Sequence, residues 1–174
     1  MSIHEIKNAI RNVPDFPKAG IQFKDITTAL KKPVMFQEII DLLAHHYRDK
    51  KIDCVVGIEA RGFILGAPLA YCLGCGFVPI RKKGKLPAKT LSQEYALEYG
   101  SDKIEIHQDA LTSSDRVLLV DDLLATSGTA AAAANLIQQT GAELVGIAFM
   151  IELLDLNGRE KLEQIAPVFS LIQY

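Results

Sequence analysis

Apolar residues along the chain follow two rhythms. Ile3, Ile6, Ala9 and Ile10 recur at helical spacing and predict a short helix ahead of Pro14, which continues a helix poorly. Pro33, followed by Val34, Phe36, Ile39, Ile40, Leu43 and Tyr47, predicts an amphipathic helix ending near Lys50. Apolar helical patterns return at 63–73, from Thr129 onward, and at 156–165. Between them lie short β-rich runs at 54–58, 77–80, 117–120, 143–151 and 168–172. Mainly apolar runs of this length are what strands covered on both faces look like. Helices alternating with such strands predict an α/β fold: a mainly parallel sheet flanked by helices, with ligands at the carboxyl ends of the strands. Segments 93–99 and 103–107 alternate instead, around Gly100-Ser101-Asp102, and predict a β-hairpin.

The most informative stretch is VLLVDDLLATSGTAAAAANLI, from Val117 to Ile137. A buried strand, a short loop of Thr, Ser and Gly, and a helix in that order aim backbone N–H groups and the positive end of a helix at one point, which suits a phosphate. A strand and a helix joined by an ordinary polar turn would read the same way. Asp121 and Asp122, side by side where the apolar run stops, would accept hydrogen bonds from neighbouring hydroxyls. A phosphate nest beside two carboxylates suits a phosphorylated sugar such as ribose 5-phosphate.

Composition narrows the alternatives. At 174 residues, 49% of them hydrophobic, the chain fills one sizeable core and is short for two domains. Nineteen basic against twenty-one acidic residues give a net charge of −2, which argues against a general nucleic-acid or membrane surface. Any cationic site is therefore local. Arg81, Lys82, Lys83, Lys85 and Lys89 put five cations in nine residues after a strand, in a stretch with Gly84 and Pro87: either a solvated run or an offer to a phosphate-rich ligand. GKLPAKT fails as a nucleotide P-loop because lysine stands where the second glycine belongs. No secretory leader or apolar run of membrane-spanning length is present, and three cysteines without a framework fit a reducing compartment, so a cytoplasmic location is expected. Cys72 and Cys75 read as structural thiols and His45-His46 as helix-surface histidines rather than metal ligands. DFPKAGIQFKDIT, Asp15 to Thr27, reads as an ordered loop whose phenylalanines either pin it to the core or face a ligand.

VLLVDDLLATSGT resembles the phosphoribosyl pyrophosphate (PRPP) motif of type I phosphoribosyltransferases, most closely their adenine-specific branch. DFPKAGIQFKDIT, GIEARGF (57–63), RKKGKLP (81–87) and LEYG (97–100) extend the resemblance over nearly the whole chain. It implies a single transferase domain over 1–174, with a base-binding segment at 1–30 and a mobile hairpin hood at 81–107. The implied reaction is adenine plus PRPP giving AMP and pyrophosphate, with Mg²⁺ held mainly by PRPP oxygens and water. Asp121 and Asp122 would hold the ribose hydroxyls, and Ala125, Thr126, Ser127, Gly128 and Thr129 the 5-phosphate. Arg61, Lys82 and Lys85 would hold the pyrophosphate, with a cis peptide at Glu59-Ala60, while Arg81 reaches a partner subunit's pyrophosphate in a homodimer. Phe23 would stack on adenine while Gln22 and Lys24 flank it, backbone groups reading the base edge. Ala125 stands where 6-oxopurine enzymes carry an aspartate, so the resemblance moves proton handling to Glu98. The chain departs from the adenine branch at Gln22, Lys24 and Ser127, where that branch more often has valine or isoleucine, arginine, and glycine. A PRPP-sensing regulator or an enzyme for another base, such as xanthine, would share the motif.

Overall fold

The computed structural model describes residues 2–96 and 100–174. In chain order the elements are α1 (Ile3–Ala9), β1 (Arg11–Pro14), β2 (Gln22–Asp25), α2 (Thr27–Leu30), α3 (Pro33–Tyr47), β3 (Cys54–Ile58), α4 (Arg61–Leu73), β4 (Gly76–Lys82), β5 (Thr90–Ala96), β6 (Ser101–His107), β7 (Arg116–Leu124), α5 (Gly128–Thr140), β8 (Glu143–Glu152), α6 (Gly158–Glu163) and β9 (Val168–Gln173). Among the described residues seven strands form one sheet in the order β5-β6-β4-β3-β7-β8-β9. β4, β3, β7, β8 and β9 run parallel, whereas β6 is antiparallel to β4 and β5 to β6. The expected parallel sheet with an appended hairpin is therefore present.

Burial of both faces explains why β7 is apolar from Val117 to Val120. Val117 and Leu119 belong to the core under α5, while Leu118 and Val120 belong to the core under α3 and α4, and all four are fully buried. On the α5 side, Ala130 to Ala134 are all buried, and their small side chains let the helix lie close to the sheet. On the other side, Ile39, Leu43, Leu65 and Leu69 close the second layer.

Several boundaries differ from those the pattern predicts, each for a tertiary reason. β4 continues through Arg81 and Lys82, which pair with Glu105 and Ile104 of β6, so the first two cations are strand residues rather than loop residues. β7 likewise runs past both aspartates to Leu124 because β8 keeps pairing with it as far as Glu152. Ser101 and Asp102, expected in the turn, are strand residues, since Ala96 opposes Ser101 and Tyr95 opposes Asp102; residues 97–99 of the expected hairpin lie outside the described residues. Segment 11–25 is not merely a loop. β1 and β2 form a small antiparallel ribbon in which Val13 opposes Phe23 and Asn12 opposes Lys24. The Cys72–Cys75 pair forms no disulfide, and His46 stacks on Phe169 with ring centroids 3.9 Å apart. Among the described residues no three His, Cys, Asp or Glu side chains converge as a metal site, and no helix is long and apolar enough to cross a membrane.

Candidate active site

The carboxyl ends of β4, β3 and β7 lie side by side, so the turns that leave these strands are delivered to one edge of the sheet. A cavity of about 320 Å³ opens there, lined by Arg61, Tyr95, Ala96, the segment Asp121–Thr129 and Ala130. Arg61 opens α4 because the turn after β3 brings that helix onto the end of β7. Gly62 makes the approach possible: a Cβ there would lie 2.8 Å from the Val120 carbonyl oxygen and 3.1 Å from Asp121 Oδ1. The result sets Arg61 Nε 2.7 Å from Asp122 Oδ2. The Arg61 N–H is not aimed at that oxygen, which has no hydrogen bond among the described residues, so charge rather than a directed bond holds the pair.

Both aspartates are electrostatically costly. Burial pushes Asp122 above the usual carboxylate range, against the lowering effect of Arg61. Asp121 is pushed well up by its enclosed setting and by the neighbouring Asp122 charge, although its Oδ1 accepts from the Asp122 N–H at 2.9 Å. Groups that bring hydrogen-bond donors to these carboxylates are thus favoured ligands.

The loop ahead of α5 closes the cavity's other side. Like any helix start, α5 leaves its first N–H groups without intrahelical acceptors, and its N-cap Ser127 makes no side-chain capping bond. Ser127 has φ 73°, a left-handed conformation that favours glycine, and its buried Oγ has no partner among the described residues. The uncapped positive end of a thirteen-residue helix therefore faces the same space as the two carboxylates.

The cations expected to meet a phosphate-rich ligand are organised around Glu59, at the end of β3. Its carboxylate accepts from the Lys82 N–H at 3.0 Å, Lys85 Nζ at 3.0 Å, and Arg81 Nε and a terminal Arg81 nitrogen at 3.3 Å each. Partial burial alone would raise this acid, but the Lys82 amide, Lys85 and Arg81 together lower it to about 2. Lys82 Nζ turns instead to Asp102 on β6, 3.2 Å away, which also accepts from the Tyr95 hydroxyl at 3.4 Å. The Glu59–Ala60 peptide is cis, at the position that the resemblance implies. Arg81, Lys82 and Lys85 border the cavity's edge of the sheet but do not line the cavity itself.

Phe23 belongs to neither core cluster. Its ring lies under the Arg61 guanidinium, 5.1 Å to the centroid, and meets Phe16 edge to face at 5.2 Å, which links the N-terminal ribbon to the carboxylate side of the cavity. Gln22 and Lys24 project from the opposite face of β2: the Asn12 amide bridges them at 2.5 and 3.2 Å, and Lys24 Nζ sits 4.2 Å from the Tyr174 ring centroid. Their side chains are thus turned to the ribbon and the C-terminus. Glu98 lies outside the described residues. Tyr95 and Ala96, just before it, were not among the residues singled out from the sequence, and alternation along a hairpin gives no signal that one of its aromatics would lie over a helix N-terminus.

Paired carboxylates, an uncapped helix end and a cation cluster share one sheet edge, a combination whose chemistry suits a phosphorylated sugar. A model of the phosphoribosyl transferase domain matches residues 26–172, and the chain belongs to that family. Within it the chain aligns end to end with adenine phosphoribosyltransferases. It is 57% identical to the one from Chloroflexus aurantiacus over 174 residues, all of both chains. The crystal structure of the enzyme from Thermoanaerobacter pseudethanolicus superposes with a TM-score of 0.96 at 53% identity, covering 99% of this chain and 100% of that one. The Saccharomyces cerevisiae enzyme, solved with adenine and D-2,5-dideoxy-2,5-imino-altritol 1,6-bisphosphate, superposes at 0.93 with 44% identity and 97% of each chain covered. The fold is that of the type I phosphoribosyltransferases.

Two outcomes are expected from this geometry. Glu59 has a folded pKa near 2 against an ordinary 4.5, so its contribution is present above pH 4.5 and is lost as the pH falls toward 2. Urea unfolding across that window should show wild type more stable than Glu59→Gln by about 1 kcal/mol at neutral pH, solvent screening of the partly exposed Lys85 and Arg81 reducing the effect, and the two curves converging near pH 2. A constant offset would mean that ionisation of Glu59 is not what stabilises the cluster. Ser127→Gly should stabilise the protein by about 1 kcal/mol, since relief at positive φ outweighs the added freedom of the unfolded chain. A lower urea midpoint in Ser127→Gly would show that the hydroxyl has a partner when the protein is in solution.

Proposed function

We propose that the chain transfers the 5-phosphoribosyl group of PRPP to adenine, releasing pyrophosphate and forming AMP, and so serves purine salvage. The observation that carries this reading is the convergence of Asp121 and Asp122 with the uncapped N-terminus of α5 on one cavity, in a chain that aligns end to end with adenine phosphoribosyltransferases. In the reaction the bond from ribose C1 to pyrophosphate oxygen breaks, the bond from C1 to N9 of adenine forms, and a proton leaves the imidazole edge of the base. Positioning supplies much of the rate in such a displacement.

Asp121 and Asp122 accept from the ribose hydroxyls, which supplies the donor that the buried Asp122 Oδ2 lacks. Ala125 to Thr129 hold the 5-phosphate through backbone amides and the helix end. Arg61, Lys82 and Lys85 meet the pyrophosphate, exchanging part of their contact with Asp122, Asp102 and Glu59 for it, and Arg81 extends toward a second subunit in a homodimer. Phe23 stacks on the base. β2 is one strand of a two-stranded ribbon, so the backbone of Gln22–Lys24 has an outer edge available to read adenine while the side chains of Gln22 and Lys24 stay with Asn12. In this reading residues 1–174 are one domain, with 1–30 serving the base and 81–107 the hood.

Mg²⁺ fits the residues present as a hydrated ion carried by phosphate oxygens. Two adjacent carboxylates, one with an oxygen free of hydrogen bonds, can hold its waters, and among the described residues no three-ligand protein cage competes. When bound, it supplies neutralisation of charge on the departing pyrophosphate. The free thiols Cys54, Cys72 and Cys75 fit a reducing, cytoplasmic setting.

Proton handling falls to Glu98, as the resemblance to the adenine-specific branch implies; Ala125 has no titratable group, and Tyr95 and Ala96, shortly before Glu98 in the chain, line the cavity. Turnover assays with PRPP and adenine, guanine, hypoxanthine or xanthine should show transfer to adenine alone. Glu98→Gln should lower single-turnover adenine transfer by about 10²–10⁴-fold while PRPP binding is kept. Turnover of another base in preference to adenine, or no turnover of any, overturns the assignment; full activity in Glu98→Gln overturns the proton role.

A further inference from the structure

The 5-phosphate loop has a back side as well as a front. Behind it lies α6, whose first residue, Gly158, sits against the Ala125 carbonyl. A Cβ at Gly158 would fall 2.1 Å from the Ala125 oxygen, 3.1 Å from its carbonyl carbon and 3.0 Å from Leu124 Cδ1. No side chain fits in that gap without displacing backbone, so Gly158 sets how far the loop can move away from the cavity.

A six-residue helix does not hold such a position by itself. Arg159, the next residue, fastens it. Its Nε donates to Glu152 Oε1 at 2.8 Å and a terminal nitrogen to Glu152 Oε2 at 2.5 Å, a two-pronged pair. The other terminal nitrogen donates to the Val168 carbonyl at 2.8 Å and to Glu163 at 3.1 Å, and Ser170 Oγ lies 3.2 Å from the first. Glu152 is 3% exposed and ends β8 opposite Leu124, the residue from which the loop departs; the Leu153 N–H bonds to the Leu124 carbonyl at 2.9 Å. The guanidinium thus ties α6, β8 and β9 together at the root of the loop.

We propose that Gly158 and Arg159 are positioning residues for phosphoribosyl binding: the Gly158 backbone supports the Ala125–Thr129 loop from behind, and the Arg159–Glu152 pair holds Gly158 in place. This rests on the reading of that loop as the 5-phosphate site. A misplacement of about 1 Å in such a site costs up to about a hundredfold.

The test is calorimetric titration of ribose 5-phosphate and, separately, inorganic pyrophosphate into wild type, Gly158→Ala and Arg159→Lys, with steady-state KM and kcat and urea midpoints for each. Ribose 5-phosphate affinity is expected to fall and KM for PRPP to rise by about ten- to a hundredfold in Gly158→Ala, kcat falling with them, while pyrophosphate affinity is little changed. Arg159→Lys keeps the charge but loses the fork, and should show a smaller loss confined to the same ligand. Should Gly158→Ala fail to fold, Arg159→Lys decides by the same ligand contrast. Equal losses for both ligands, or unchanged ribose 5-phosphate affinity, overturn the positioning role. Failure of wild type to bind ribose 5-phosphate would instead overturn the assignment of the loop itself.

Discussion

Two adjacent carboxylates directly after the fully buried Val117–Val120 run of β7 are the electrostatic problem around which this molecule is arranged. β7 is covered on both faces, so Asp121 and Asp122 emerge directly from the core, and burial raises both acids. Arg61 offsets part of that cost, and it can do so only because Gly62 has no side chain to hold α4 away from the Val120 carbonyl. The compensation is incomplete, with one Asp122 oxygen left without a directed bond. An arrangement tuned in this way is poor at being empty and well suited to a ligand that carries hydroxyl donors, which is the general condition for pre-organised binding.

The same logic recurs one strand away with the sign reversed. Three cations near the end of β4 would repel one another without an anion among them, and Glu59, placed by the turn that also launches α4, accepts from the Arg81 and Lys85 side chains and from the Lys82 backbone. Asp102 on the hairpin takes the Lys82 ammonium. Each cation is therefore held in a defined place by a carboxylate of the protein. Because Lys82 is tied to the hairpin, and Tyr95 joins the same carboxylate, the cation cluster and the strand above the α5 N-terminus are parts of one network.

Close backbone approach is the second recurring device. Gly62 lets a helix touch the strand that carries the carboxylates, and Gly158 lets another helix touch the loop beyond that strand. In both places an arginine next to the glycine makes the ion pair that holds the approach: Arg61 with Asp122, Arg159 with Glu152. Small residue for contact and charged residue for attachment, side by side in sequence, fix the first turns of both helices at a sheet edge more firmly than helix propensity could.

Features that depend on neighbours along the chain were legible in the order of residues. Continuous apolar runs identified the buried strands because both faces of β7 are covered, and Thr126 to Thr129 between such a run and an alanine-rich helix marked a phosphate-ready turn because local order alone aims the amides. The same locality made the PRPP-like motif, and with it the family, readable before any fold was known. Features that join residues far apart in the chain were set by packing instead. Strand ends moved outward to Lys82 and Leu124 because partner strands continued to pair there, and a segment that composition describes as a loop became a ribbon because Val13 could oppose Phe23. Packing also turned Gln22 and Lys24 away from Phe23, gathered the cations at Glu59, and brought Gly158 behind a loop about thirty residues earlier in the chain. A chain pattern records which side chains prefer burial. Which oxygen lies within reach of which nitrogen is fixed only when strands distant in sequence are brought to a common edge.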